Sequence, residues 1–224
     1  MNILSKNKIP IIIILVGFII LTSFHNYASG GLSSTIGGTQ GTGNGQFDQP
    51  WGLGVNSTGH IFVVEYYNQR ISLFDNSTNH AFSSLIVEPS IRYGSCSSRG
   101  GGSDCSANGK LNGPADADFD SSGNIWVADM NNDRIQKFNS AGVFQMKFGS
   151  RGCQSIQSDG TISGDRQYGK FCDAVAMDID SSGNIFVVDH NNRRVQKFDS
   201  SGNYVTKWGS LGSGDGEFNA LSSI

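Results

Sequence analysis

A gapless internal repeat is the feature of this sequence that most restricts its fold. Three segments of equal length align without insertion: GQFDQPWGLGVNSTGHIFVVEYYNQRISLFD from Gly45, GKLNGPADADFDSSGNIWVADMNNDRIQKFN from Gly109 and GKFCDAVAMDIDSSGNIFVVDHNNRRVQKFD from Gly169. A further copy, GEFNALSSI, begins at Gly216. One unit cannot bury its apolar face alone, so the repeat predicts stacked copies of one supersecondary element.

Each unit predicts four short antiparallel strands. In the second unit a first strand ends at Phe119, the turn DSSG follows, and the β-branched and aromatic run NIWVA forms the second strand. A polar corner leads to a third strand, RIQKF, and the turn NSAG leads to a fourth, VFQMKFGS. Four strands in about 45 residues are typical of a β-propeller blade.

These details resemble one family. The pattern G-x-F-x-x-P, then D-S-x-G-N-I-[FWY]-V-[AV]-D-x-x-N-x-R-[IV]-Q-K-F-D-x-x-G and a closing F-G-S, is similar to the NHL repeat over residues 45–224. The first unit departs from it at Glu65, where the others have aspartate, and by an insertion before Tyr93; the third has Ala174 in place of proline. The resemblance implies an all-β propeller of NHL-type blades, usually about six in a ring.

The repeat also divides the chain into predicted segments. They are a signal peptide or membrane anchor (1–30), a linker with a possible closing strand (31–44), blade 1 (45–95), a cysteine-containing loop (96–108), blade 2 (109–150), a second such loop (151–168), blade 3 (169–210) and the start of blade 4 (211–224). Three readings fit this count: a piece of a longer six-bladed ring, two associated copies, or an open arc whose edges invite self-association.

The N-terminal residues predict export. Lys6 and Lys8 precede an uncharged apolar run from Ile9 to Phe24, and Ala28, Ser29 and Gly30 are small enough for a cleavage site. The run is shorter than a comfortable membrane span of about 20 residues, although an uncleaved anchor is the alternative. Either form places the remaining chain in the extracellular medium or on the outer side of the cytoplasmic membrane.

The charge of the remaining chain disfavours nucleic acid as a partner. Residues 1–30 hold two lysines and no acid, so the remainder carries 14 basic against 19 acidic residues, a net charge of −5. Contact with phosphates requires a surplus of lysine and arginine. We therefore expect a protein or a small extracellular ligand as the partner.

The four cysteines are expected to form disulfides, because exported chains are oxidised and no C-x-x-C spacing indicates a metal site. Cys96 and Cys105 lie in one link between units, and Cys153 and Cys172 lie in the next. Pairing within each link is the simplest of three possible connectivities. Two sequons, at Asn56 and Asn76, predict glycosylation in turns on the face opposite the cysteine-containing links.

Repeated polar residues predict scaffold, whereas residues that differ between units are candidates for function. Asp189, Asn192, Arg194, Gln196 and Lys197 recur as Asp129, Asn132, Arg134, Gln136 and Lys137, and would hold a hairpin corner. His190 and Arg193 do not recur. Tyr66 and Gln69 replace them in the first unit, and Met130 and Asp133 in the second. We interpret Tyr66, Met130, Asp133, His190 and Arg193 as exposed binding residues and assign no catalytic residue.

Acidic residues in the first strands suggest a second kind of site. Asp116, Asp118 and Asp178 would line the central channel, where carboxylates can hold a hard cation such as calcium. Gluconolactonase-like and amidating-lyase propellers use a channel metal, but they also need histidine or asparagine ligands from several blades, which are not found here. A water-filled polar channel is the simpler interpretation.

The expected function is that of an exported NHL-type propeller serving as a binding or interaction scaffold. A lactonase-like hydrolase or an amidating lyase with a channel metal is the alternative. The fold-level resemblance does not identify a ligand, because one fold hosts many functions.

Overall fold

The computed structural model describes residues 11–15, 18–22, 34–37, 39–77, 80–87, 106–156, 162–164 and 167–224. Within these residues the regular structure consists of β-strands and a 3-10 turn at Met130–Asn132. Its centre consists of three four-stranded antiparallel sheets, in agreement with the prediction of blades.

Each sheet follows the strand order of its sequence unit. Sheet 1 contains β4 (Pro50–Val55), β5 (Ile61–Glu65), β6 (Arg70–Phe74) and β7 (Phe82–Val87). Sheet 2 contains β8 (Pro114–Phe119), β9 (Ile125–Asp129), β10 (Arg134–Phe138) and β11 (Phe144–Phe148). Sheet 3 contains β14 (Ala174–Ile179), β15 (Ile185–Asp189), β16 (Arg194–Phe198) and β17 (Tyr204–Trp208).

Two smaller sheets accompany these three. Three strands near the N-terminus, β1 (Ile11–Leu15), β2 (Phe18–Thr22) and β3 (Ser34–Ile36), pair in that order. A hairpin of β12 (Gln154–Ile156) and β13 (Ile162–Gly164) lies in the link between sheets 2 and 3. None of the described segments forms a helix that is long and apolar enough to cross a membrane. The predicted signal peptide stays a prediction.

Burial within a sheet falls from the second strand to the fourth. Every residue of β5 and β9 is buried, whereas β11 alternates between half-buried and exposed residues. A strand that is buried on both faces must be covered by neighbours on both sides, so the sheets are stacked face to face. The fourth strand is the outer edge of each sheet.

Apolar clusters between neighbouring sheets hold the stack together. Phe62, Val64 and Ile71 of sheet 1 pack against sheet 2 residues that include Val127 and Phe138. A second cluster joins sheets 2 and 3, and its members are Trp126, Ala128, Ile135, Phe171, Ala174, Met177, Ile185, Val187 and Phe198. Burial of one large apolar side chain contributes about 1.5–3 kcal/mol, so these clusters are the main source of stability.

The recurring glycine and phenylalanine of the repeat lock one unit to the next. Gly149 and Gly209, which follow the fourth strands, have φ angles of 94° and 98°. A Cβ at either position would lie 2.5 Å from the ring of Phe171 or Phe218, respectively. Only glycine allows both the left-handed backbone and this close approach. The F-G-S and G-x-F motifs are therefore two halves of one contact.

Candidate functional site

The corner between the second and third strands of each sheet contains a buried ion pair. The distances from the arginine Nε to the carboxylate are 2.8 Å for Arg70 and Glu65, 2.7 Å for Arg134 and Asp129, and 2.6 Å for Arg194 and Asp189. All these side chains are at most 5% exposed. Burial raises the pKa of Asp129 and of Asp189, against the effect of hydrogen bonds and the neighbouring guanidinium.

Further repeated residues satisfy the carboxylate. In sheet 2, Asn132 Nδ2 and Gln136 Nε2 donate to Asp129 Oδ2 at 2.8 and 3.0 Å. In sheet 1 the longer Glu65 meets the shorter Ser72, whose hydroxyl donates to Glu65 Oε1. The departure at residue 65 is thus matched by a shorter partner at residue 72. We call each such set of buried polar residues a corner network.

The corner networks also fix where the links between units lie. Arg134 Nη1 donates to the carbonyl of Ser106, and its Nη2 donates to the carbonyls of Ala107 and Lys110. Arg194 makes equivalent bonds to Gln167 and Lys170. Corners and links therefore share one end of the sheets, which we call the corner end. The tight turns of the repeat lie at the opposite end.

The last residue of each corner has left-handed geometry. The φ angles are 52° for Gln69, 52° for Asp133 and 53° for Arg193. The prediction that Asp133 is exposed was wrong: it is 2% exposed, and its Oδ1 accepts a bond of 2.9 Å from the backbone N–H of Asp173 in the next sheet. Arg193 is half-buried and donates to the carbonyl of His190. Both side chains serve the fold.

Met130, His190 and Tyr66, the other three candidates, lie around a cavity of about 810 Å³ at the corner end. Met130 and His190 line it directly, although Met130 is only 9% exposed, against the expectation for this residue. His190 Nδ1 contacts the carbonyl of Leu221. The lining residues are Pro50, Trp51, Gly52, Leu53, Ala115, Asp116, Met130, Asp173, Val175, Ala176, His190, Ser222, Ser223 and Ile224.

Trp51 is a cavity residue that sequence reasoning missed. The residue is 48% exposed, and its indole stacks on the ring of Tyr66, with centroids 4.5 Å apart and an interplanar angle of 22°. Tyr66 is held in turn by Asn131 Nδ2, which donates to its hydroxyl at 3.2 Å. Alignment places Ala115 and Val175 at the position of Trp51, so the sequence alone could have marked Trp51 as a residue that differs between units.

The predicted channel carboxylates have a structural role. Asp116 Oδ2 and Asp118 Oδ2 each accept a bond of 3.0 Å from the backbone N–H of Met177 and Ile179, respectively, on the first strand of sheet 3. Asp178 is exposed. In the described part of the chain, no group of three or more His, Cys, Asp or Glu side chains could hold a metal ion. The three aspartates therefore do not form the suggested calcium site here.

Asp116 has the most perturbed environment of the three. Burial raises its pKa from 3.8 to about 6, although hydrogen bonds from Met177 and Ala117 favour the charged form. Burial also raises the pKa of Asp118. A carboxylate that loses water without gaining a cation becomes easier to protonate.

One disulfide lies at the corner end. Cys153 and Cys172, 19 residues apart, are bonded, and the backbone N–H of Cys172 donates to Asp189 Oδ1 at 2.7 Å. The bond therefore ties the link between sheets 2 and 3 to a corner network. Cys96 and Cys105 lie outside the described residues, so their predicted pairing stays a prediction.

Both sequon asparagines lie near the β4–β5 turn. Asn56 Oδ1 accepts bonds from Thr58 and from the backbone of His60, and the exposed Asn76 donates from Nδ2 to the carbonyl of Thr58. This turn is at the opposite end from the corners. Glycosylation at these residues stays a prediction.

Two of the three repeat units match the model of a known family. The model of the NHL repeat matches residues 47–74 and 111–138. The protein brain tumor of Drosophila melanogaster is 28% identical over 174 residues, which are 77% of this chain and 13% of that protein. The chain thus spans only a small part of this relative.

Solved structures that resemble this chain share a lower sequence identity with it. A structural genomics protein of unknown function from Bacteroides thetaiotaomicron has a TM-score of 0.48 and 17% identity, over 71% of this chain and 35% of that one. The virginiamycin B lyase of Staphylococcus aureus has a TM-score of 0.35 and 13% identity, over 70% of this chain and 54% of the lyase.

Proposed function

We propose that this chain, with NHL repeats at residues 47–74 and 111–138, is a binding module that receives its partner at the corner end. One observation carries the proposal. The side chains that break the repeat, above all Trp51, Met130 and His190, gather around a single cavity of about 810 Å³. The repeated polar residues are instead used by the corner networks.

The cavity has the composition of a ligand site. Its walls are mainly apolar, and a small number of polar groups, including Asp116 and His190, lie among them. Ligand sites in proteins commonly combine apolar walls with a few placed polar groups. Because equivalent positions of the three units carry different residues here, the cavity wall is asymmetric, and an asymmetric wall can select one ligand orientation.

The opposite end of the sheets contains, among the described residues, the tight turns of the repeat. Its turns are tight and satisfy themselves: Asp120 Oδ1 accepts from the backbone of Ser122 and Asn124, and Asp199 Oδ1 does the same for Ser201 and Asn203. Glycans at Asn56 or Asn76 would occupy this end and leave the corner end open.

We place the protein outside the cytoplasm as part of the same proposal. The basic and apolar N-terminus supports export, and a disulfide between Cys153 and Cys172 suits an oxidising compartment. The partner is then an extracellular protein or a small extracellular ligand.

A pair of photo-crosslinking variants tests the position of the binding surface. A photoreactive amino acid replaces Ser222 at the cavity or Ser200 in the β16–β17 turn; both serines are exposed. With the protein exported by its own cells, we expect crosslinked adducts from position 222 and none from position 200. Equal adduct yields at the two positions, or adducts from position 200 alone, would contradict the proposal.

A further inference from the structure

The cavity at the corner end has an acidic lining. Asp116 and Asp173 contribute carboxyl groups, and no lysine or arginine is present among the lining residues of the described chain. Asp173 is already engaged, because Asn191 Nδ2 donates to its Oδ2. Asp116 accepts only backbone N–H groups and forms no ion pair with any described residue. Its charge is therefore available to a ligand.

An anionic Asp116 in this place calls for a cation. Removing a carboxylate from water is costly unless a positive charge accompanies it. A ligand cation would supply the charge that the corner networks obtain from Arg134 and Arg194. The close packing of β4 fixes the carboxylate, since a Cβ on Gly52 would lie 2.9 Å from Asp116 Oδ1.

Trp51, another lining residue of the same cavity, provides a second element that can bind a cation. It precedes Gly52 in the chain, and the residue is 48% exposed while its indole stacks on Tyr66. Stacking on Tyr66 occupies one ring face, and the exposure of the residue leaves surface for contact with another group. Indole is the aromatic side chain that binds organic cations best.

The remaining lining residues indicate the chemical character of the rest of the ligand. Leu53, Met130, Val175 and Ala176 present apolar surface to the cavity. Such walls favour a hydrocarbon group and disfavour a bound Ca²⁺ or Mg²⁺ ion, which needs several oxygen ligands. The complementary molecule has one positive charge at one end and an apolar body at the other.

We propose that the cavity binds organic ammonium ions, with the cation between Asp116 and Trp51 and the apolar body against Met130 and Val175. This inference rests on the proposed function, because it assigns a ligand class to the same cavity. A free amine and a lysine side chain of a partner protein share this chemistry.

Calorimetric titration of the full chain with benzyltrimethylammonium tests the inference, with benzyl alcohol as the uncharged probe. We expect saturable binding of the cation and at least about tenfold weaker binding of the alcohol, since a desolvated cation interaction is worth about 1.4 kcal/mol or more. A lysine-containing peptide that binds more tightly than the small cation identifies a protein source. A small cation that binds more tightly identifies a free amine. Equal binding of cation and alcohol overturns the inference.

Matched variants assign the effect to the cavity. We expect Trp51→Leu and Asp116→Asn each to weaken binding of the cation about 5- to 30-fold. Trp208→Leu and Asp215→Asn serve as controls, because Trp208 is 41% exposed and Asp215 is exposed, and neither lines the cavity. Thermal unfolding checks that each variant is folded. Equal loss in a variant and its control overturns the assignment.

The pH dependence of binding is a further readout, because the charge of the probe is the same at every pH. We expect binding to weaken from pH 7.5 to pH 5 as Asp116 gains a proton, and Asp116→Asn to remove most of that dependence. The other titratable groups near Asp116 are Asp118, Asp178, Asp173 and His190. Failure of the cation to bind while position 222 still gives crosslinked adducts refutes the ligand class alone. Failure of both refutes the proposed function as well.

Discussion

We predict that replacement of Asp116 by asparagine changes how stability depends on pH. The free energy of unfolding of the variant, relative to that of the wild-type protein, should be higher at neutral pH than at acidic pH. Burial raises the pKa of this carboxyl from 3.8 to about 6. The folded protein therefore binds a proton more tightly than the unfolded chain, and the wild-type protein loses stability as the pH rises from about 4 to about 6. Asparagine has no charge to gain, so the variant lacks this loss.

The magnitude follows from the shift in pKa. A difference of about two units corresponds to about 3 kcal/mol between full protonation and full ionisation. About 2 kcal/mol of this difference is expected between pH 4.5 and pH 7.5. The quantity to measure is the free energy of unfolding of Asp116→Asn minus that of the wild-type protein, by urea titration at each pH with tryptophan fluorescence as the signal.

A constant offset between the two proteins is also expected, because one amide oxygen cannot accept both N–H groups that Asp116 accepts, those of Ala117 and Met177. Only the change of the difference with pH reports the buried charge. Asp215→Asn removes one exposed charge and is the control, with a difference that stays near zero at both pH values. A pH-independent difference for Asp116→Asn, or one that decreases towards neutral pH, would refute the reasoning.

Three further predictions concern the fold and its processing. Glu65→Asp is expected to lower the free energy of unfolding in urea by about 1–3 kcal/mol. A second change, Ser72→Gln, should restore at least half of this loss, because the pair then matches the other two corners. No restoration would contradict the explanation that the two side chains are matched in length. Loss of the disulfide through Cys172→Ser, with Cys153→Ser to avoid a free thiol, is expected to cost about 2–4 kcal/mol, and an unchanged unfolding midpoint would contradict it. N-terminal sequencing of the protein recovered from culture medium should begin near Gly30, whereas a first residue of Met1 would contradict cleavage.

The repeat was sufficient to predict the strands of the three four-stranded sheets. In the second unit it placed the second strand at residues 124–128 and the third at 134–138, and the structure has β9 at Ile125–Asp129 and β10 at Arg134–Phe138. Glycine-containing turns mark the strand ends, and the second strand of every unit is a run of β-branched and aromatic residues. The scaffold role of the repeated polar residues, such as Arg194, was also readable, because a site is seldom built from identical positions.

The environment of individual side chains was harder to predict. Asp133 was expected at the surface, yet it bonds to Asp173 across the junction between two sheets. Asp116 was considered as a metal ligand, yet it caps an N–H group on a strand 61 residues away. Such contacts depend on how closely and at what angle neighbouring sheets pack, and the pattern of one unit contains no information about that packing.

The most direct test of the division between scaffold and site compares two neighbouring residues at one corner. Asp189 belongs to a corner network and is fully buried, whereas His190 lines the cavity. We predict that Asp189→Asn costs about 3–5 kcal/mol of unfolding free energy, because it leaves Arg194 buried without its counter-charge. We predict that His190→Ala costs no more than about 1 kcal/mol. Equal losses, or a larger loss for His190→Ala, would contradict the claim that repeated residues hold the fold while the others form the site.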